Sequence, residues 1–348
     1  MSQRKLAGVL AFPLLLALWT AAFMLPMPYV TYRPGPTLDV LGEKKGEEYI
    51  QVSGQKTYAT EGELRMTTVY VTLPDGKISL FEAMRAWLSD EEAVYPHDSI
   101  YQPGETTEES ERESAIQMVS SQDGAIAAAL RELGYDVTAQ LAILDVTKGA
   151  PADGKLKVHD VLVKVGGMKV KAPEDVVNQI TGAPEGKPIE FVVRRSGKLV
   201  TVSITPRLID GHRRIGVTPG AGFSFPFDVS VGEIGDIGGP SAGLIFALGV
   251  VDTLTPGSLT GGGDVAGTGT MSPDGQVGPI GGIQQKIVGA RDAGAGLFLV
   301  PADNCADALG APHGDMRLAK VSTLDGARAV VERWAADHKA TLPSCGAA

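Results

Sequence analysis

The sequence predicts an α+β protein in three parts: an N-terminal transmembrane helix, a small β-rich domain and a larger α+β domain. Three observations carry that prediction. No charge occurs between Leu6 and Tyr32. Short β-patterned segments punctuated by Gly and Pro fill the middle of the chain. Two glycine-broken turns near the C-terminal end each open an apolar helix, one bearing Ser241 and the other Lys286.

The first part is read from length. Leu6 to Leu25 is apolar enough to span a bilayer, which needs about 20 residues of helix. Pro13 would at most kink it. The run exceeds the h-region of a signal peptide, and the small pair Ala21-Ala22 lies inside it, which favours an uncleaved anchor over a cleaved leader. Arg4 and Lys5 precede it; Arg33, Lys44 and Lys45 follow. The short basic head places the N-terminus inside and the catalytic portion outside the cytoplasm. Residues 1–30 are thus expected to be a single-pass anchor in a bacterial-type cell membrane.

Residues 31–132 form a strand and helix region. Tyr32-Arg-Pro-Gly-Pro36 reads as a rigid exit from the membrane. Glu48 to Leu73 reads as short strands, and Glu63–Val71 is the clearest, with β-branched and aromatic residues. Phe81–Leu88 suggests a short helix. Gln102–Glu113 holds five glutamates and one arginine and reads as a solvated loop. Ile116–Leu133 is an alanine-rich helix.

The catalytic stretch is Asp236-Ile-Gly-Gly-Pro-Ser-Ala-Gly-Leu244. Gly238, Gly239 and Gly243 permit tight turns and close approach of a ligand. Pro240 would preset φ at the helix entrance, where its missing N–H costs nothing. Backbone N–H groups of the turn formed by Gly239, Pro240, Ser241 and Ala242 would face a developing oxyanion. Such a serine still needs a base. The candidate lies in Pro279-Ile-Gly-Gly-Ile-Gln-Gln-Lys286, where Ile283, Ile287 and Ala290 recur at helical spacing. A lysine beside that apolar stripe could be partly desolvated, and a base near neutrality must fall from ~10.4 to roughly 7–8, about 4 kcal/mol against its charged form.

Composition narrows the rest. A net charge of −10 argues against nucleic acid as a partner. The two cysteines, Cys305 and Cys345, form no CxxC. In an extracytoplasmic domain they could form one disulfide, worth roughly 3–4 kcal/mol by loop entropy; two unrelated thiols are the alternative. His97, His159, His212, His313 and His338 are scattered without metal-ligand spacing, so no metal or other cofactor is expected. Gly149 to Lys155 spells GxxxxGK, but Leu156 follows in place of Ser or Thr, and no other phosphate-cradling loop occurs. No nucleotide is expected as a partner.

Gly239-Pro-Ser-Ala-Gly243 and Pro279-Ile-Gly-Gly-Ile-x-x-Lys286 resemble the proteolytic domain of Lon-type proteases, from roughly Ile215 to Val331. The resemblance implies a Ser–Lys dyad of Ser241 and Lys286. Thr260-Gly-Gly-Gly-Asp-Val-Ala-Gly-Thr-Gly-Thr270 matches the strand that carries a threonine near the lysine, so Thr268 would orient Lys286. Asp236 lies two residues before the place of the usual acidic residue and receives no role. Phe225–Val231 reads as the strand feeding the turn. Lon-type domains commonly form rings, so a homo-oligomer is compatible.

Gly149-Ala-Pro-Ala-Asp-Gly through Val165-Gly-Gly167 resembles a PDZ domain of the bacterial protease-associated kind, over residues 133–207. Pro173–Ile180 would be the groove helix and Ile189–Ile204 a hairpin around Ser196-Gly197. Leu133-Gly134-Tyr135 matches the loop that would hold a peptide carboxylate. Residues 208–345 are left as the proteolytic domain, with 31–132 packing against it.

Together these imply an ATP-independent serine endopeptidase acting on protein or peptide substrates that are membrane-associated or extracytoplasmic, with PDZ-assisted recognition. Two other readings stay open. One is a PDZ adaptor with an inactive Lon-like scaffold. The other is an α/β-hydrolase-type esterase pairing Ser241 with His313, against which only about 110 residues follow the serine.

Overall fold

The structure is a computed structural model and describes residues 3–195, 197–209, 211–232, 234–235 and 237–346; within the first helix it describes side chains from Leu10 onward, Ala21 excepted. In chain order, helix α1 (Gln3–Met24) leads to strands β1 (Tyr29–Asp39), β2 (Ile50–Ser53) and β3 (Glu63–Val71). Helix α2 (Leu80–Trp87), strand β4 (Ala93–Pro96) and the long helix α3 (Thr107–Glu132) follow. The middle unit contains β5 (Thr138–Val146), β6 (Val161–Val165), α4 (Pro173–Thr181), β7 (Ile189–Arg195), β8 (Lys198–Ile204) and β9 (Val217–Ser224). The last unit runs β10 (Asp228–Val231), α5 (Gly243–Leu254), β11 (Asp264–Gly267), α6 (Ile283–Asp292) and β12 (Leu297–Pro301). It ends with α7 (Cys305–Ala308), β13 (Arg317–Val321) and α8 (Leu324–Ala336).

The catalytic unit is built on one mixed sheet of order β13-β12-β11-β3-β1-β4. Its C-terminal strands run parallel, and β11 pairs in parallel with β3 in a register that sets Gly267 opposite Met66. Residues about 200 positions apart are therefore neighbours, and the N-terminal strands complete the sheet that the C-terminal part begins. Thr67 Oγ1 donates to Gly267 O across this seam. β10 pairs with β2 rather than joining the large sheet.

Helix α5 is apolar on every face apart from Asp252 and Thr253 near its end, and such a helix belongs in an interior. It is buried along its whole length, packed with α3, β3 and α8. The second unit has its own core of Ile143, Leu162, Phe191 and Ile204 inside a sheet of order β8-β7-β6-β5-β9.

Several expectations need correction. The solvated loop at Gln102–Glu113 is helix from Thr107 onward. Thr106 caps it, and Glu109 reaches back to the Thr106 N–H in a capping box. The Thr106-x-x-Glu109 spacing is a legible start signal that the glutamate density obscured. Tyr32–Pro36, expected as a rigid exit from the membrane, lies within β1. The strand accommodates its prolines at a register shift between Pro34 and Thr37, where a missing N–H breaks no ladder bond. The β-rich unit does not end at 207, because β9 pairs with β5 along its length and closes that sheet. The Ser196 tip of the hairpin and Asp236 lie outside the described residues.

Among the described residues no helix is long and apolar enough to cross a membrane. The anchor expected over Leu6–Leu25 lies partly outside them, since the side chains before Leu10 are not among those described. Those from Leu10 to Thr20 are exposed.

Asp252, near the end of α5, is fully buried. Its Oδ1 accepts the Leu259 N–H at 2.6 Å, while Oδ2 has no hydrogen-bond partner. Burial pushes its carboxyl up to about 6. An acid with a raised folded pKa destabilises the fold once ionised; the penalty is absent below about pH 4 and full above about pH 6. Asp252→Asn keeps the acceptor and removes the charge. Thermal unfolding of this variant at pH 8 should show a gain of about 2–3 kcal/mol that vanishes near pH 4; equal stability at both pH values would refute the assignment.

Candidate active site

The nucleophile turn is held from outside by α3. Gly239 adopts φ +89°, a left-handed conformation that favours glycine. Its N–H donates to Ser114 O at 2.8 Å, and Ser121 Oγ donates to Pro240 O at 2.9 Å. Ser241 follows directly, two residues before α5 begins. Pro240 therefore sits ahead of the helix rather than in its first turn. The Gly239 N–H is used by Ser114 and Pro240 has none, so of Gly239, Pro240 and Ala242 only Ala242 can bring an N–H to an oxyanion. Gly239 and Pro240 shape the turn.

Helix α6 presents Lys286 from the opposite side. It starts after Gly282, and the Lys286 N–H donates to Gly282 O at 3.0 Å. Ile283, Ile287 and Ala290 are buried, and Gln285 and Lys286 are buried too, so two faces of the helix are covered. One cover is β1, where a Cβ on Gly289 would come within 2.8 Å of Gly35 O. Asn304 fixes the preceding turn with two bonds: its Oδ1 accepts the Ile280 N–H and its Nδ2 donates to Ile280 O, both at 2.9 Å. Nothing in the sequence marked Asn304, Ser114 or Ser121, because each acts through a backbone contact remote in the chain.

The two sides meet at Ser241 and Lys286. Lys286 Nζ lies 2.7 Å from Ser241 Oγ and 3.1 Å from Thr268 Oγ1. Lys286 is 3% exposed and Thr268 1%. Thr268 Oγ1 donates to Ser241 O at 3.0 Å, and the Gly269 N–H donates to the same carbonyl at 2.8 Å. Burial alone drives the lysine pKa down, to about 7. Among the described residues no carboxylate opposes this shift, so near pH 7 about half of the amine is unprotonated and available as a base.

The hydrogen-bond directions fit that state. Thr268 gives its only hydroxyl proton to Ser241 O, so its oxygen can only accept from Lys286. With one N–H directed at Thr268, the lone pair of a neutral Lys286 can face the Ser241 hydroxyl.

The other candidates fall elsewhere. His313 Nδ1 bonds to Met316 O at 2.8 Å, and the Ser241 hydroxyl is bonded to Lys286, so the Ser241–His313 pairing of an esterase is not formed. Leu133 and Tyr135 pack on the catalytic core. Tyr135 also meets Phe227 edge-on and accepts from Gln55. Leu133-Gly134-Tyr135 is thus a joint at the end of α3, whereas α4 packs beside the His212–Arg214 strand and β9. Cys305 and Cys345 form a disulfide that ties the C-terminal tail to α7. Among the described residues no group of His, Cys, Asp and Glu could hold a metal ion.

Two family models match parts of the chain. Residues 231–332 match the Lon protease (S16) C-terminal proteolytic domain, and residues 109–205 match the PDZ domain. The PDZ match begins inside α3, which packs on the catalytic core, and stops before β9. A Lon protease 1 of Sorangium cellulosum is 40% identical over 94 residues, 26% of this chain and 11% of that protein. A protein described as putative zinc metalloprotease LL2128, from Lactococcus lactis, is 37% identical over 109 residues, 31% of this chain and 25% of that one. The chain thus spans a quarter or less of the length of these relatives. Among solved structures, the PDZ domain of an SdrC-like protein from Listeria innocua is 21% identical over 23% of this chain and 92% of its own, with a TM-score of 0.22. The chain carries a Lon-type proteolytic domain and a PDZ domain, and the Lon matches support a serine endopeptidase.

Two outcomes follow for the dyad. Lys286→Met should abolish turnover. A base with a lowered folded pKa carries a penalty that is full below about pH 7 and gone above about 10.5. The variant should therefore unfold at higher temperature at pH 7, from a gain of up to ~4 kcal/mol before lost packing, with the difference shrinking toward pH 10. Thr268→Val should lower kcat about tenfold or more, as expected when a buried hydrogen bond costing roughly 1–3 kcal/mol is left unmade. It should also shift the pH at which kcat/KM rises; a rate loss without that shift would mean that Thr268 does not orient the base.

Proposed function

We propose that the chain is a membrane-anchored, ATP-independent serine endopeptidase that cleaves membrane-associated or extracytoplasmic proteins. The observation that carries this reading is the buried Lys286 amine 2.7 Å from Ser241 Oγ, with no counter-ion among the described residues. Ser241 Oγ attacks the scissile carbonyl carbon as Lys286 Nζ takes its proton. The carbonyl oxygen becomes an oxyanion held by backbone N–H groups at Ser241 and Ala242. Lys286 returns the proton to the leaving amine, and an acyl-enzyme on Ser241 is then released by water activated by the same lysine.

The PDZ unit supports a role in substrate recognition. β9 is an edge strand of its sheet and packs beside α4, and an extended peptide adds to such an edge by main-chain hydrogen bonds. The apolar N-terminal run supports the anchor, and an oxidised Cys305–Cys345 pair fits an extracytoplasmic domain.

The test is cleavage of an unfolded protein by the full chain without nucleotide, beside Ser241→Ala and Lys286→Ala. The parent should cleave and neither variant should. Cleavage that requires added ATP, or that survives Lys286→Ala, would overturn the proposal.

A further inference from the structure

The surface of α2 is built unlike the rest of the catalytic unit. Ala83 and Ala86 turn inward and are buried, while Phe81, Met84, Trp87 and Leu88 are 44%, 53%, 77% and 71% exposed. At 3.6 residues per turn these four occupy about a third of the helix circumference. Ser79 and Glu82 close a capping box at its start, and Arg85 pairs with Glu92 at 2.7 Å beside the apolar arc. The face is an apolar strip with a polar border. Scattered exposed apolar residues need no explanation, but a contiguous strip bordered by polar groups marks an interaction surface.

Its placement identifies what covers it. Directly after α1, Pro26-Met27 pairs antiparallel with Ile78-Ser79, and Pro26 lies opposite Ser79, the residue that caps α2. The chain leaving α1 is thus hydrogen-bonded to the chain entering α2, and the two helices are fixed at one level. Phe23 of α1 stacks on Phe81 of α2 with ring centroids 4.7 Å apart. The exposed strip on α2 is therefore continuous with the exposed apolar surface of α1, which includes Phe12, Leu18, Trp19 and Met24.

We infer that α2 is a second membrane contact, an in-plane foot that sets Phe81, Met84, Trp87 and Leu88 into the boundary between lipid headgroups and acyl chains. This rests on the reading of α1 as an anchor. A short helix with one apolar face and a charged border is suited to that boundary, and a tryptophan is favoured there because its ring is apolar with a polar edge. The foot also orients the catalytic unit. The segment after α2 is clipped to α6, where Gln285 Nε2 donates to Glu91 O at 3.3 Å and Arg291 pairs with Glu91 at 2.8 Å. The helix that carries Lys286 thereby takes its bearing from the bilayer surface.

Tryptophan quenching in the full chain tests this, since the sequence holds three tryptophans and Trp19 and Trp87 are exposed. The protein would be reconstituted into phosphatidylcholine–phosphatidylglycerol vesicles with acyl chains brominated either near the headgroup or near the bilayer centre. Subtracting Trp19→Phe/Trp87→Phe from Trp19→Phe gives Trp87 alone; subtracting it from Trp87→Phe gives Trp19 alone. Trp87 should be quenched at least about twofold more by shallow bromine than by deep bromine, as for a helix seated 5–10 Å into the interface. Quenching of Trp19 without quenching of Trp87 would overturn the foot and leave the anchor. If neither is quenched, the anchor fails and the foot with it. A Trp87 shielded from aqueous acrylamide yet untouched by brominated lipid would also overturn the foot, with a second copy covering the face.

Discussion

The structure around the candidate site serves one unfavourable arrangement, a lysine amine buried with no counter-ion among the described residues. A charged ammonium in that position is opposed by burial, so the group responds by giving up its proton near neutrality rather than at its ordinary pKa. The fold must hold Lys286 there against its tendency to reach water. It does so by covering α6 on two faces, by fixing the preceding turn through Asn304, and by letting α6 approach β1 closely where Gly289 faces Gly35. A carboxylate beside Lys286 would stabilise the protonated form and disable the base. The use of Thr268 as the neighbour is consistent with this, because a hydroxyl can accept an N–H without stabilising a charge as strongly.

The serine side shows the complementary constraint. A nucleophile must stay reachable, and Ser241 is only partly buried. It stands just before α5, and the firmness of its position comes from neighbours: Thr268 and Gly269 hold its carbonyl, while α3 holds the two residues before it. Placing so many bonds on the backbone of the turn leaves the hydroxyl itself to the lysine.

How much of this was legible depends on whether the signal was local. Ser241, Lys286 and Thr268 were readable because turn glycines and apolar periodicity sit within a few residues of each. α5 was readable because a run of apolar residues follows the nucleophile turn directly. Residues 31–132 were expected to pack against the proteolytic domain, but the parallel register of β11 with β3 was not readable, since no local pattern fixes such a register across some 200 residues. The start of α3 was hidden by glutamates that resemble a solvated loop until the Thr106–Glu109 capping box is noticed. Leu133-Gly134-Tyr135 misled for the opposite reason. A short motif resembled a carboxylate loop, but its aromatic ring is committed to Phe227 and Gln55 in the catalytic unit. The edge that lies beside α4 comes instead from β9, more than 80 residues later.

That late strand explains why α3 matters to both units. Arg112 of α3 bonds to Asp145 at 2.6 Å and Thr147 at 2.7 Å in the PDZ sheet, and Asp123 pairs with His159 at 3.2 Å. The Asp123 contact draws the His159 pKa upward through its hydrogen bond, partly offset by burial. On its other side the same helix supplies Ser114 and Ser121 to the nucleophile turn. A helix 26 residues long and buried through its second half is stiff compared with the loops it touches. The sheet edge beside α4 and the serine turn are distant in sequence, but both lie against the same helix.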